Sequence, residues 1–181
     1  MPTRHLRQFL RRARTAWQRW SPERDRAYHD SLFAAHQLDP FRPSYLGNIT
    51  IRRFADLSAP HVSTSRSVLD LGCGSGEITC ELGRRFPDVA FVGVDHSQEG
   101  IGRVSAHVEA LGLRNTTFLV GDIERYEPNG PVDLVMMFDA FHHLIAPEPF
   151  IVRLGQCSRR FLLVEPRGDW KGSWSRELDF D

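Results

Sequence analysis

The stretch VLDLGCGSGEITCEL, residues 68–82, decides the fold. Its first four residues are apolar except for Asp70. Glycines follow at positions 72, 74 and 76, and then an apolar-polar pattern of helical period. A strand that runs through a glycine-rich turn into a helix is how many nucleotide sites begin. The turn lets a ligand approach the backbone, and the helix N-terminus offers N–H groups that no intrahelical acceptor uses. Which nucleotide is bound, and whether the rest of the chain can act on it, must come from the surrounding sequence.

Outward from this turn the chain alternates. Strand-like runs are VLDL (68–71), AFVGVD (90–95), TTFLV (116–120), VDLVMMF (132–138) and RFLLVE (160–165). Helical patterns lie between them at 76–86, 98–111 and 147–157, and the connection 121–131 is mostly loop. Strands that are apolar throughout and alternate with helices indicate a parallel sheet covered on both faces. The expected class is α/β, a Rossmann-like doubly wound parallel sheet. An N-terminal helical extension precedes it, and its C-terminal end reads as incomplete. The expected division is a helical cap over 1–60 and a ligand-binding domain over 61–181.

Composition supports one folded domain with extra elements. Of the 181 residues, 41% are apolar and 25% charged, and acids and bases balance at 23 each. Such a chain buries an ordinary core and advertises no nucleic-acid or acidic partner. No basic-aromatic reading segment is present either, which speaks against a nucleic-acid substrate. Cys73, Cys80 and Cys157 are an odd set without paired spacing, so neither a disulfide framework nor a zinc site is expected. No apolar run approaches the roughly 20 residues of a membrane helix, and no secretory h-region is seen. Stable membrane insertion is not expected, and a cytoplasmic location is the default.

The N-terminal region reads as helices. Leu6, Phe9, Leu10, Ala13, Trp17 and Trp20 form one stripe, and residues 1–20 carry six arginines and no acid. Packing on its own domain is the favoured reading of this helix. A membrane-surface helix and an organellar transit peptide are the alternatives. Ser21-Pro22-Glu23 starts a second helix carrying Tyr28, Leu32 and Phe33, which the turn DPFRP (39–43) ends. Asn48 caps a third, short helix through Ile51, Phe54 and Leu57.

The glycine turn departs from the dinucleotide fingerprint G-x-G-x-x-G. Gly72 and Gly74 fit, but the third position is Glu77, and the glycine falls at Gly76. A glutamate in the first helical turn suits the helix dipole but repels an incoming pyrophosphate. S-adenosyl-L-methionine carries no phosphate; it has an adenosine, a sulfonium and an amino-acid tail. Asp70, ending the first strand, can hold its ammonium group. Asp95, ending the second strand, can accept both ribose hydroxyls, as it could for a dinucleotide. In GDIERY (121–126), Asp122 can accept from the adenine amino group while Ile123 packs on the ring. A strand-end cap for Asp95 and a turn role for Asp122 are the plainer readings.

With VLDLGCGSG, VGVDHS, GDIERY and VDLVMMFDAFHHL in this order, residues 67–166 resemble a class I S-adenosylmethionine-dependent methyltransferase of the small-molecule type. The resemblance implies that Asp70, Gly72, Gly74 and Gly76 line the methionine end. It places Asp95 at the ribose, Asp122 with Ile123 at the adenine, and His96 against the adenine face. It also places DAFHHL (139–144) beside the transferred methyl group. Asp139, His142 and His143 are then the candidate catalytic residues, with a histidine as proton acceptor near neutral pH. The spacing leaves open which ring faces the cleft. The adjacent histidines have no third ligand at metal spacing, so no metal is expected. In this family the segment before the first strand covers the cofactor, which makes Tyr28, His29, His36, Tyr45 and Asn48 candidate pocket residues.

Full domains of this type continue past the fifth strand with a helix and an antiparallel strand pair. Here PRGDWKGSWSRELDFD (166–181) follows and shows no strand pattern. The fifth strand is therefore expected to be an exposed edge. A fragment of a longer protein is the favoured explanation, beside a covering partner and a natural short form. Trp170 and Trp174 read as a helical turn over that edge or part of a lid. The functional expectation is methyl transfer to a small-molecule acceptor. The alternatives are a non-catalytic cofactor-binding module or partner subunit of the same fold and, third, an NAD-dependent reductase.

Overall fold

The computed structural model describes residues 23, 26, 27, 30, 31, 49–158, 160–166 and 173–179. The apolar stripe and the arginines of residues 1–20, and Tyr28, His29, Leu32, Phe33, His36, Tyr45, Asn48 and Trp170, lie outside them. The five residues before position 49 are helical.

Helix α1 spans Ile49–Val62 and leads into β1, Ser67–Leu71. After it come α2 (Glu77–Arg85), β2 (Ala90–Asp95), α3 (Gln98–Leu111), β3 (Thr116–Val120) and β4 (Leu134–Phe138). A 3₁₀ turn over Phe141–His143, α4 (Pro147–Leu154), β5 (Arg160–Pro166) and β6 (Ser173–Asp179) complete the order. The sheet order is β3-β2-β1-β4-β5-β6. The first five of these strands are parallel to their neighbours, and β6 is antiparallel to β5. The order reverses between β1 and β4, which is the switch point where ligands lodge against the carboxyl ends of the strands.

Alternation along the strands sorts the core into two layers. Leu69, Leu71, Val135, Met137, Phe161 and Leu163 face Phe141, Leu144, Phe150, Ile151 and Leu154, the side of the 3₁₀ turn and α4. Val68, Phe91, Leu134, Met136, Leu162 and Val164 pack with Ala55 and Val62 of α1 and Leu82 of α2. A third cluster, around Cys80, Ile101 and Val104, joins α2 to α3 and to Phe118 of β3.

Two expectations are overturned. The helix through Ile51, Phe54 and Leu57 is not short: it has 14 residues, runs across position 60, and sends Val62 into the core. Arg160 of β5 anchors its end by donating to the His61 carbonyl at 2.5 Å. The tail after Glu165 does contain a strand. β6 pairs with the whole of β5, from Arg160↔Asp179 to Pro166↔Ser173, so β5 is not an edge. Trp174 is extended opposite Glu165 rather than in a helical turn. The segment SWSRELD alternates poorly in polarity, so neither a period of 2 nor a helical period marks it.

Candidate functional site

The glycine turn is folded onto the end of β2. The N–H groups of Gly72 and Cys73 both donate to the Val94 carbonyl, at 2.8 and 3.2 Å. Gly72, Gly74 and Gly76 have φ of 79°, 57° and 72°, the left-handed region that glycine enters without steric cost. At two of them packing adds a second demand. A Cβ on Gly72 would lie 2.4 Å from Cβ of Ala140, and one on Gly76 would lie 2.4 Å from Cγ2 of Val104. The turn thus touches the loop after β4 on one side and α3 on the other. Between the glycines, burial and the charges of Asp70 and Asp95 push the Cys73 thiol well above its ordinary value, so it stays protonated.

Two acids flank the turn. Asp70 is 2% exposed, and Thr79 in the first turn of α2 donates its hydroxyl to Oδ2. Oδ1 is buried and has no hydrogen-bond partner among the described residues. Burial raises the Asp70 carboxyl to about 7, against the lowering by Thr79 and with a further push from Asp95. Asp95 is also buried. Its Oδ2 accepts from Gly74 N–H at 2.7 Å and its Oδ1 from Ser97 N–H at 2.8 Å. Asp95 thereby joins the glycine turn to the cap of α3, where Ser97 accepts from Gly100 N–H. The Ser97 hydroxyl donates in turn to Asp30 of the N-terminal segment.

The loop after β3 starts beside Asp95, since Gly121 N–H donates to the Asp95 carbonyl at 2.8 Å. Asp122 is exposed, accepts from Glu124 N–H at 2.9 Å, and forms a 3.5 Å ion pair with Arg125. It therefore makes the turn, and its side chain stands at the rim. Ile123 is half-buried against the core of the α4 face, and His96 is half-buried next to Asp95.

The loop after β4 opens with Asp139 at φ 50°, the one non-glycine residue with positive φ among those described. Its N–H still bonds the Val164 carbonyl at 2.8 Å, after which the chain turns sharply away from the sheet. Partial desolvation and the Glu165 charge raise the Asp139 carboxyl, while His142 and His143 pull it down. The rings of His142 and His143 lie 4.2 Å apart, tilted by 37°. Beneath them Glu165, 8% exposed at the end of β5, accepts from the N–H groups of Ala140 (3.1 Å), Phe141 (2.7 Å) and His142 (3.3 Å). Its Oε2 also meets His142 Nδ1.

The expected residues thus converge on the carboxyl ends of β1, β2, β3 and β4. A family model described as a methyltransferase domain matches residues 68–160, just over half of the chain.

The chain belongs to the methyltransferase-domain family.

Among curated relatives, the chain is 36% identical over 74 residues to trans-aconitate 2-methyltransferase of Yersinia pestis. That alignment covers 41% of this chain and 27% of the relative. It is 26% identical over 93 residues to a probable (S)-tetrahydroprotoberberine N-methyltransferase 2 of Papaver bracteatum, covering 51% of this chain and 26% of the relative. The matches span about a quarter of these relatives' length. Among solved structures, a SAM-dependent methyltransferase from Thiobacillus denitrificans in complex with S-adenosyl-L-homocysteine is 27% identical. It has a TM-score of 0.56 and covers 78% of this chain and 55% of that one. Coclaurine N-methyltransferase bound to N-methylheliamine and SAH has a TM-score of 0.61 at 17% identity, covering 91% of this chain and 58% of that one. At that identity the likeness is one of fold.

Three groups of this methyltransferase-domain chain escaped the sequence reading. Thr79 is an unremarkable threonine until the turn folds it over Asp70. Glu165 was read only as the end of a strand; the signal available was an acid at the carboxyl end of a buried strand next to the one that carries the histidines. Glu124 ties two loops together. Its carboxylate accepts from Ala146 N–H at 2.7 Å, and its carbonyl accepts from Arg153.

Among the described residues no helix is long and apolar enough to cross a membrane, and no group of three or more His, Cys, Asp or Glu could hold a metal.

Proposed function

We propose that the chain binds S-adenosyl-L-methionine across the carboxyl ends of β1 to β3 and passes its methyl group to a small-molecule acceptor held at the loop after β4. The observation that carries this reading is the Asp70 carboxyl. A buried carboxyl oxygen without a hydrogen-bond partner is costly. It lies directly under a turn whose backbone a ligand can approach, and an ammonium group satisfies it. A pyrophosphate would not, and Glu77 opens the helix with the same sign of charge.

In this proposal Asp70 holds the ammonium while Gly72, Gly74 and Gly76 admit the methionine end. Asp95 accepts the ribose hydroxyls through lone pairs its two backbone donors leave available. His96 and Ile123 flank the adenine, and Asp122 approaches it from the rim. The bound cofactor supplies a methyl group on a cationic sulfur, so attack neutralises charge and the protein's task is alignment and exclusion of water. Asp139, His142 and His143 stand where the acceptor would be, and a histidine takes the acceptor's proton.

A cap over 1–60 on a domain spanning 61–181 belongs to this proposal, with α1 crossing the boundary and packing Ala55 and Val62 into the domain's core. Support for the cap comes from Asp30, bonded to Ser97 two residues beyond Asp95. A cytoplasmic location belongs to the same proposal. A cofactor-binding module of the same fold, without transfer, is the second reading.

Calorimetry with S-adenosyl-L-homocysteine tests the site. Asp95→Ala should weaken binding at least about 100-fold, the loss of two hydrogen bonds to a charged acceptor. Unchanged affinity would remove Asp95 from the site. Transfer of a labelled methyl group into small-molecule extracts separates the enzyme from the binding module.

A further inference from the structure

We infer that Glu165 is a positioning residue that fixes the proton of His142 on Nδ1 and so keeps the lone pair of the ring on Nε2. The geometry shows why. Glu165 ends β5, the strand next to β4, and its carboxylate sits under the loop that β4 leads into. Oε1 accepts from Ala140 and Phe141, which orients the carboxylate through two backbone donors. Oε2 then faces His142, from the backbone N–H on one side and ring Nδ1 on the other. An ionised carboxylate only accepts, so the ring nitrogen that meets it must carry a proton. In the neutral ring the other nitrogen, Nε2, is then the basic atom.

The neighbouring charged groups leave this assignment in place. Asp139 and His143 both lie close enough to interact with the cluster, and Asp139 feels Glu165, His142 and His143 together. Neither is placed between Oε2 and Nδ1. The left-handed Asp139 and the 3₁₀ turn after it bring three successive N–H groups toward one carboxylate. A purely structural role for Glu165 would need only those three bonds.

The use of Nε2 as acceptor of a substrate proton rests on the proposed methyl transfer. There the acceptor's proton moves to Nε2 as the acceptor–carbon bond forms and the sulfur–carbon bond breaks, its electron pair returning to sulfur. The tautomer itself rests on geometry alone.

Glu165→Gln separates the two roles. The amide oxygen can keep the bonds to Ala140 and Phe141, while the NH₂ group replaces Oε2 and donates to Nδ1, at the cost of the weaker bond from the His142 backbone N–H. That inverts the ring to the Nε2–H form. The experiment is two-dimensional ¹H–¹⁵N correlation on the full chain, ring-labelled at histidine and held above neutral pH, with the His142 signals assigned by their loss in His142→Gln. Wild type should show Nδ1–H at His142, and Glu165→Gln should show Nε2–H as the major form. An Nε2–H tautomer in wild type overturns the inference, whether or not the variant folds. So does an unchanged Nδ1–H tautomer in a folded Glu165→Gln. Binding of S-adenosyl-L-homocysteine is measured on the same sample. Loss of that binding with Nδ1–H intact contradicts the cofactor reading and supports this one.

Discussion

Gly72 and Ala140 meet so closely that one extra carbon has no room: a Cβ on Gly72 would stand 2.4 Å from that of Ala140. The turn proposed to hold the cofactor and the loop that carries the histidines are therefore in direct contact, although 68 positions apart. In the proposed reaction this contact sets where the methyl group and its acceptor meet. Gly72→Ala should cost roughly 2–4 kcal/mol, from the left-handed backbone and the overlap with Ala140. Chemical denaturation measures it, and a loss below about 0.5 kcal/mol would show that the two loops can move apart freely.

Asp70 makes stability fall as pH rises. Its folded-state carboxyl stands near 7, above the ordinary 3.8. The folded protein therefore keeps a proton that the unfolded chain has lost, and stability present below pH 4 is lost as pH rises toward 7. Asp70→Asn keeps an acceptor for Thr79 and cannot ionise. Its stability relative to wild type should increase between pH 4 and pH 7.5, by up to about 4 kcal/mol. Denaturation at several pH values checks this, and parallel curves for the two proteins would contradict it. Binding an ammonium beside Asp70 should also release a proton near pH 7, seen as a dependence of calorimetric heat on the buffer's ionisation enthalpy.

Asp95 spans Gly74 and Ser97, so its substitutions should separate structure from binding. Asp95→Asn retains one acceptor and should lose about 1–2 kcal/mol of stability, because its NH₂ group now faces a backbone N–H. Asp95→Ala leaves both N–H groups without this acceptor and should lose about 2–4 kcal/mol. Equal stability of the two variants in urea would show that the bridge contributes little.

How far the sequence could be read follows from the range of each interaction. β1, β2, β4 and β5 were legible because strands buried on both faces are largely apolar, as LVMMF in β4 is; β3, TTFLV, is mostly exposed at the sheet edge and was legible from its β-branched and aromatic residues. Gly72, Gly74, Asp70 and Asp95 were legible because one turn and the carboxyl ends of β1 and β2 place them. Asp122 was half legible: its turn bond to Glu124 is local, but its 51% exposed side chain depends on how the loop lies. Glu165 was not legible. Its partners, Ala140 to His142, are more than 20 positions away, and the adjacency of β4 and β5 is a property of the sheet order. β6 was missed because strand pairing, rather than a hydrophobic pattern of its own, defines it.

Glu124 links the loop after β3 to both ends of α4, through Ala146 just before its first residue and Arg153 in its last turn. Glu124→Ala should leave the Ala146 amide without its acceptor and speed its hydrogen exchange about 10-fold, corresponding to a lost interaction of about 1.4 kcal/mol. Glu124→Gln, which still presents a carbonyl oxygen, should restore most of the protection. Equal exchange in all three proteins would remove the strap.

The central claim is that the turn around Gly72 to Gly76 is built for a phosphate-free nucleoside that carries an amino-acid ammonium group. Its most direct test is titration of the full chain with S-adenosyl-L-homocysteine and, separately, with NADH at pH 7.5. The expected result is saturable one-to-one binding of S-adenosyl-L-homocysteine, with a dissociation constant within roughly 1 µM to 1 mM, and no saturable heat from NADH. Tighter binding of NADH, or no binding of S-adenosyl-L-homocysteine, would contradict it.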